Sequence, residues 1–320
     1  MRAVVAGRPG PPDVLSIITL PDLAPGSGQG RVSVEFAAIT FRDTMLRSGR
    51  ADAPGSFPLV PGNGVGGNID AVGPDVDPAW LDTKVVTSTG GTGGYASSAL
   101  AHLDDLHRVP DDLELREATA LLADGRTAIG LADAAAIRPG DRVVVSAAAG
   151  GVGSLLVQLA ARHGASVIAL AGSAAKLGLA RELGAAHVVD YRASDWLERL
   201  DAVAPDGVDV VFDGVGGDLT AALARRTRTG GRYLQHGAAG GAWGELDGNA
   251  LAARGVAVIP LAAIGSSRAE LFELVERALE LAARGDPRAV VGQVFPLDDA
   301  SSAHAAIEAR ATIGKTLLVP

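Results

Sequence analysis

The stretch Ser146-Ala-Ala-Ala-Gly-Gly-Val-Gly153 decides how this chain is read. An apolar run, Arg142-Val-Val-Val-Ser-Ala147, leads into it. Ser154-Leu-Leu-Val-Gln-Leu-Ala-Ala-Arg162 leaves it with helical spacing. Strand, glycine turn and helix form the setting in which a dinucleotide pyrophosphate binds. Glycines let backbone N–H groups approach phosphate, and the helix N-terminus adds the positive end of its dipole. Ala148 stands at the first position of the usual G-x-G-x-x-G, so the turn reads A-x-G-x-x-G. The alternative use of such a turn is close packing of helix on strand.

Moving outward, a second strand, Ser166-Val-Ile-Ala-Leu-Ala171, follows at the expected separation. An NAD site places Asp or Glu near its end to hold the ribose 2′-hydroxyl. Here the end reads Ala171-Gly172-Ser173, and no acidic residue occurs from Arg142 through Arg181. Lys176 lies just beyond, one of three lysines with Lys84 and Lys315. A cation without a carboxylate favours the 2′-phosphate of NADPH. The competing reading of Lys176 is a solvated helix-face lysine.

Further strands and helices alternate after this point. Helices are expected at Ala174–Leu183, Ser194–Val203 and Leu219–Arg228, with strands at His187–Asp190, Val208–Asp213, Gly231–His236 and Val256–Leu261. With the first two, that makes six strands in a doubly wound parallel sheet of Rossmann type. Residues 1–117 read differently. Ala3–Ala6 and Val14–Ile18 are arms of a hairpin, and Arg31–Ala37, Val65–Val72 and Thr83–Thr87 are short strands between Gly and Pro turns. That spacing predicts a small β barrel or sandwich. Arg116–Ala136 predicts one or two helices, with Gly125 and Gly130 interrupting. The tail offers an amphipathic helix at Arg268–Arg284, a strand at Val290–Phe295, a helix at Ala300–Ala309 and a terminal strand that returns to the first domain.

Composition narrows the function. A net charge of −9 and 4% aromatic residues argue against nucleic acid or an anionic membrane as partner. The absence of cysteine excludes disulfides, catalytic thiols and thiolate zinc sites. No apolar run has membrane-spanning length and the first residues lack the features of a signal peptide, so a soluble cytoplasmic protein is expected. The six histidines are scattered, and no metal site is expected.

Several marks in order resemble one family. They are Thr40-Phe-Arg-Asp-Thr-Met-Leu-Arg-Ser-Gly49, Phe57-Pro-Leu-Val-Pro-Gly62 followed by Gly64–Gly73, Ala147–Gly153, Leu183–Tyr191, Phe212-Asp-Gly-Val-Gly216 and Arg310–Pro320. Together they resemble the zinc-free quinone oxidoreductase branch of the medium-chain dehydrogenase/reductase superfamily. Phe41-Arg-Asp43 also resembles enoyl reductase domains of polyketide synthases. The resemblance implies an α/β chain. A GroES-like β-rich catalytic domain, residues 1–117 and 262–320, would clasp a Rossmann NADPH-binding domain at 118–261.

It also implies site residues. Ala149, Gly150, Gly151 and Val152 would hold the pyrophosphate. Ser173, Lys176, Tyr191 and Arg310, with Lys315 a weaker member, would surround the adenine ribose and its 2′-phosphate. Val215, His236 and Gly237 would line the nicotinamide ribose, and Thr127, at a helix start, the nicotinamide end. The competing readings are a partly buried surface aromatic for Tyr191 and a strand-end residue bonded to backbone for His236. Thr40, Arg42 and Asp43 are the catalytic candidates; Arg42 and Arg126 would stabilise the enolate or pair with Asp43 and Asp124, and a salt-bridged Asp would have a lowered pKa. The family often carries Asn where Thr40 stands, an acidic or polar residue where Asn63 stands, and Tyr where Met45 stands. Methionine cannot donate a proton, so water oriented by Thr40 is the expected source, and Tyr95, on a strand, is expected to pack in the core.

The expected function is an NADPH-dependent reductase of a quinone or an α,β-unsaturated carbonyl compound; the resemblance implies a homodimer that pairs the apolar edge strand Val256–Leu261, unless the Arg268–Arg284 helix covers that edge and leaves a monomer. Two alternatives stay open. One is a biosynthetic tailoring enzyme performing a different reduction or a non-redox cyclisation. The other is a non-catalytic NADPH-binding protein. The loops at 50–58 and 240–249 would shape the substrate site.

Overall fold

The computed structural model describes residues 1–51 and 56–320, so part of the 50–58 loop lies outside the described residues. The chain begins with β1 (Arg2–Ala6), β2 (Leu15–Thr19), β3 (Gln29–Ile39), α1 (Phe41–Ser48), β4 (Gly64–Val72), β5 (Lys84–Ser88), β6 (Ser98–His102), β7 (Leu106–Arg108) and α2 (Leu115–Ala135). It continues with β8 (Arg142–Ser146), α3 (Gly151–Arg162), β9 (Ser166–Ala171), α4 (Ala174–Glu182), β10 (His187–Asp190), α5 (Trp196–Val203) and β11 (Val208–Asp213). Then come α6 (Asp218–Arg226), β12 (Thr227–Gln235), α7 (Gly248–Ala253), β13 (Ala257–Pro260), α8 (Arg268–Ala283), β14 (Val291–Pro296), α9 (Ala300–Glu308) and β15 (Lys315–Val319). Two compact units result: Met1–Ala123 with Val275–Pro320, and Asp124–Leu274.

In the second unit six parallel strands lie in the order β10-β9-β8-β11-β12-β13. This is the doubly wound Rossmann order, with its switch point between β8 and β11. Val143, Val144 and Val145 on β8 and Val210, Val211 and Phe212 on β11 are fully buried. Consecutive apolar residues are what a strand covered on both faces requires.

The first unit holds a seven-stranded sheet built on β14-β15-β3-β4-β5-β7, with β6 also paired to β3. Both ends of the chain meet in it, because β15 runs antiparallel to β3 with Leu317 opposite Ala38. Alternation on β3 sends Val32 and Val34 inward against Ile69, Val85 and Leu106. The β1–β2 hairpin forms as the sequence predicts, with Val4 opposite Ile17.

Three local expectations are corrected. α2 is one unbroken helix, so Thr127 lies in its interior and not at a helix start. Glycine costs only about 1 kcal/mol in a helix, and a 21-residue run rich in Ala and Leu absorbs Gly125 and Gly130. Thr227 and Arg228, expected at the end of a helix, open β12 instead. Tyr95 sits in a bend before β6 rather than on a strand, fixed by its N–H to Pro61 O at 2.9 Å and its carbonyl to Val4 N at 2.9 Å.

Candidate active site

In the second unit, the turn between β8 and α3 is held by steric necessity. Ala147 takes a left-handed φ of 51°, a strained setting for a residue with a Cβ. Gly150 donates back to Ala147 O at 2.8 Å and is the N-cap of α3. A Cβ added to Gly153 would lie 2.2 Å from that same carbonyl. One added to Gly151 would lie 1.9 Å from an Asp124 carboxylate oxygen. Gly153 therefore requires glycine, because its neighbour is backbone, whereas a side chain at Gly151 would have to displace the Asp124 carboxylate. Gly150 offers no side chain that caps α3, and the first helical N–H groups have no intrahelical acceptor. An anion suits such a helix end.

The same turn rests on a buried network that sequence reasoning missed. Asp213, at the end of β11, accepts on one oxygen from Ser146 Oγ at 2.9 Å, Val215 N at 3.0 Å and Gly216 N at 3.1 Å. Its other oxygen accepts from Thr220 Oγ1 at 2.6 Å and Tyr233 Oη at 2.9 Å. Burial, with Asp213's charge beside it, pushes the Tyr233 hydroxyl far above its ordinary value. The network ties the ends of β8, β11 and β12 together at the switch point and orders the turn that carries Val215. A polar residue closing each apolar strand, Ser146 and Asp213, was the available signal.

His236 and Gly237 follow β12 and donate their N–H groups to Asp213 O at 2.8 and 3.3 Å. The His236 ring has a buried Nε2 with no protein partner. Burial lowers its pKa to about 4, against Asp213's charge, so the ring is neutral near pH 7. At the end of β9, Ser173 caps α4 and its Oγ accepts from Lys176 N at 3.4 Å. Tyr191 follows β10, and its hydroxyl lies beside Gly172. Ser173, Lys176 and Tyr191 thus come together. Asp190 and Arg192, on either side of Tyr191, belong to the same corner and were missed.

Arg310 and Lys315, expected in that group, belong to the first unit. Lys315 is only 3% exposed, and its charge acts on Asp43. Of the two roles open to Arg42, pairing with Asp43 is the less favoured: Lys315 is a cation that acts on Asp43, and Arg42 is exposed.

Thr40 and Asp43 form a reciprocal cap at the start of α1. Thr40 N and Oγ1 donate to Asp43 Oδ2 at 2.7 and 2.8 Å, and Asp43 N donates to Thr40 Oγ1 at 3.3 Å. Burial raises the Asp43 carboxyl above its usual value, against the pull of Thr40, Lys315 and the Gly62 backbone. The expected lowering is therefore overturned: desolvation outweighs the charge. Behind Asp43, the buried Tyr95 hydroxyl meets His304 Nε2 at 2.9 Å. Burial and the Asp43 charge drive the Tyr95 pKa well up, with Arg47 opposing. His304 is held down to about 3 by burial and then by Arg47. Met45 is half-buried on α1.

The donor set does not fit zinc. The chain has no cysteine, and the Asn63 side-chain oxygen is engaged by Ser88 Oγ and Gly91 N. Thr40 and Asp43 are engaged with each other. Among the described residues no cluster of three His, Asp or Glu could hold a metal ion.

Comparison with known proteins gives these units a family. Residues 26–111 match the alcohol dehydrogenase GroES-like domain and residues 183–318 the family described as zinc-binding dehydrogenase. A quinone oxidoreductase of Pseudomonas aeruginosa is 30% identical, over 97% of this chain and 97% of its own. The chain belongs to the medium-chain dehydrogenase/reductase superfamily, among its quinone oxidoreductases. A 2-haloacrylate reductase from Burkholderia sp. is 30% identical over 100% of this chain and 99% of its own. The crystal structure of Escherichia coli quinone oxidoreductase complexed with NADPH superposes with a TM-score of 0.92 at 30% identity, covering 100% of both chains. The first unit is accordingly the GroES-like part and the second the Rossmann part.

Proposed function

We propose that this chain is an NADPH-dependent oxidoreductase that reduces a quinone or an α,β-unsaturated carbonyl compound. The observation that carries the reading is the β8–α3 turn. Its obligatory Gly153, its close-packed Gly151 and its helix N-terminus lie at the switch point of a Rossmann sheet. The E. coli relative, complexed with NADPH, supports the nucleotide, and the Burkholderia reductase supports an electron-poor alkene as one acceptor class.

In this reading Ala149, Gly150, Gly151 and Val152 present N–H groups to the pyrophosphate. Ser173, Lys176 and Tyr191 bind the 2′-phosphate, Lys176 through a charge-assisted bond. Arg310 is a further candidate from the first unit. Val215, His236, Gly237 and Thr127 serve the nicotinamide half. NADPH, when bound, supplies the hydride; the protein positions it. Thr40 turns its hydroxyl proton toward Asp43 and accepts from Asp43 N, leaving one lone pair of Oγ1 to hold a water that delivers the proton. Arg42, exposed on α1, stabilises the developing enolate. Asp43 and Tyr95 act through Thr40 and are positioning residues.

The test is product analysis with NADPH and two acceptor panels, simple quinones and 2-enones. Reduced product from either panel, in step with NADPH consumed, supports the reading. Product without NADPH consumption favours a non-redox reaction, and tight NADPH binding with no product favours a binding protein.

A further inference from the structure

The nucleotide reading leaves one ion pair unused. Asp190 closes β10 opposite Ala171, the last residue of β9. A carboxylate is thus present on the strand next to β9, whose end is where an acidic side chain would hold a ribose 2′-hydroxyl. Its Oδ1 accepts the Arg192 N–H at 2.9 Å and lies 3.6 Å from Arg192 Nε. The Arg192 side chain is 61% exposed and reaches back over the end of β9. A Cβ on Gly172 would lie 3.0 Å from Arg192 Nε and 3.3 Å from the Tyr191 hydroxyl. The guanidinium and the hydroxyl therefore both approach Gly172, the residue before the Ser173–Lys176 cap, with the Asp190 carboxylate beside the guanidinium.

We propose that Asp190 and Arg192 form a selector for the adenine-ribose substituent of the nucleotide. This rests on the NADPH reading above. The planar guanidinium carries five donors, enough to serve the Asp190 carboxylate and a phosphate together. It joins Lys176 in binding the 2′-phosphate while neutralising Asp190. Without Arg192 the bare Asp190 carboxylate repels phosphate and accepts a hydrogen bond from a free 2′-hydroxyl. The same corner then turns toward NADH. Gly172 is the opening through which the guanidinium approaches, since any side chain there would meet it.

The test measures equilibrium dissociation constants for NADPH, NADH, 2′,5′-ADP and 5′-ADP. It compares the wild type with Arg192→Ala, Asp190→Asn and the double variant. Arg192→Ala is expected to weaken NADPH and 2′,5′-ADP about tenfold. NADH should stay within about twofold or tighten. Adding Asp190→Asn to that background should recover at least about threefold for the phosphorylated ligands, a coupling that a purely structural role would not produce. Arg192 is exposed and Asp190 half-buried, and the unphosphorylated ligands report whether the fold is intact. An unchanged preference in Arg192→Ala, or no recovery in the double variant, overturns the selector. Wild-type protein that binds 2′,5′-ADP no better than 5′-ADP overturns the NADPH reading, and the selector with it.

Discussion

Asp43 is a carboxylate used as a cap and then sealed from water. Desolvation raises its pKa, and each hydrogen bond from Thr40 and Gly62 resists that rise. Replacing Thr40 with Val should cost about 1–2 kcal/mol in urea unfolding, the loss of a capping hydroxyl. It should reduce turnover modestly. Tyr95→Phe should lower the chemical step by less than about tenfold, below the 10²–10⁴ of a lost general acid. A thousandfold loss with the fold intact would make Tyr95 the donor. Lys176→Ala should weaken NADPH about ten- to hundredfold and leave NADH nearly unchanged, measured by calorimetry. Two histidines with lowered pKa values give a stability signature. His236 and His304 have folded pKa values lowered to about 4 and about 3. The unfolded chain therefore binds more protons below the ordinary value of 6.5. Their stabilising effect is complete above that value and is lost as pH falls toward the folded values, by about 1.4 kcal/mol per pH unit for each. Asp43, with a raised pKa, works in the opposite sense. His304→Gln should flatten the decline of the urea midpoint between about pH 6.5 and 4.5; an unchanged decline would contradict the assignment.

At the scale of elements, the β8–α3 turn is the least tolerant piece. Gly153→Ala drives a methyl into the Ala147 carbonyl. It should cost about 1–3 kcal/mol, as overpacking does, and abolish measurable NADPH binding. Unchanged affinity would remove the turn from the nucleotide site. This turn was legible in the sequence because glycine spacing between an apolar strand and an apolar helix has few other uses. The six Rossmann strands were legible for the same reason: consecutive Val, Ile and Leu stand out. α2 was read with its interior Thr127 at a helix start because glycine looks like a break until the neighbouring Ala and Leu are weighed. Contacts distant in sequence could not be read. The Lys315 charge acts on Asp43 only because β15 folds back onto β3. Tyr95 meets His304 across 209 residues of sequence. The Asp190-Tyr191-Arg192 corner was half read, since motif matching stopped at the tyrosine.

For the whole molecule, β13 ends the six-stranded sheet with Val258 42% exposed. An apolar edge of this kind invites a second copy. We expect a homodimer by light scattering at micromolar concentration, and Val258→Lys should shift it toward monomer. A monomeric wild type would contradict the expectation. Among the described residues no helix is long and apolar enough to cross a membrane. The central claim, NADPH-dependent reduction without zinc, is tested most directly by a single turnover. EDTA-treated protein loaded with NADPH is mixed with a quinone or a 2-enone, and nucleotide absorbance is followed alongside product. One NADPH should be oxidised per product formed, with NADH far slower. Bound NADPH that stays reduced with both acceptor classes, or activity that returns only with added zinc, would contradict it.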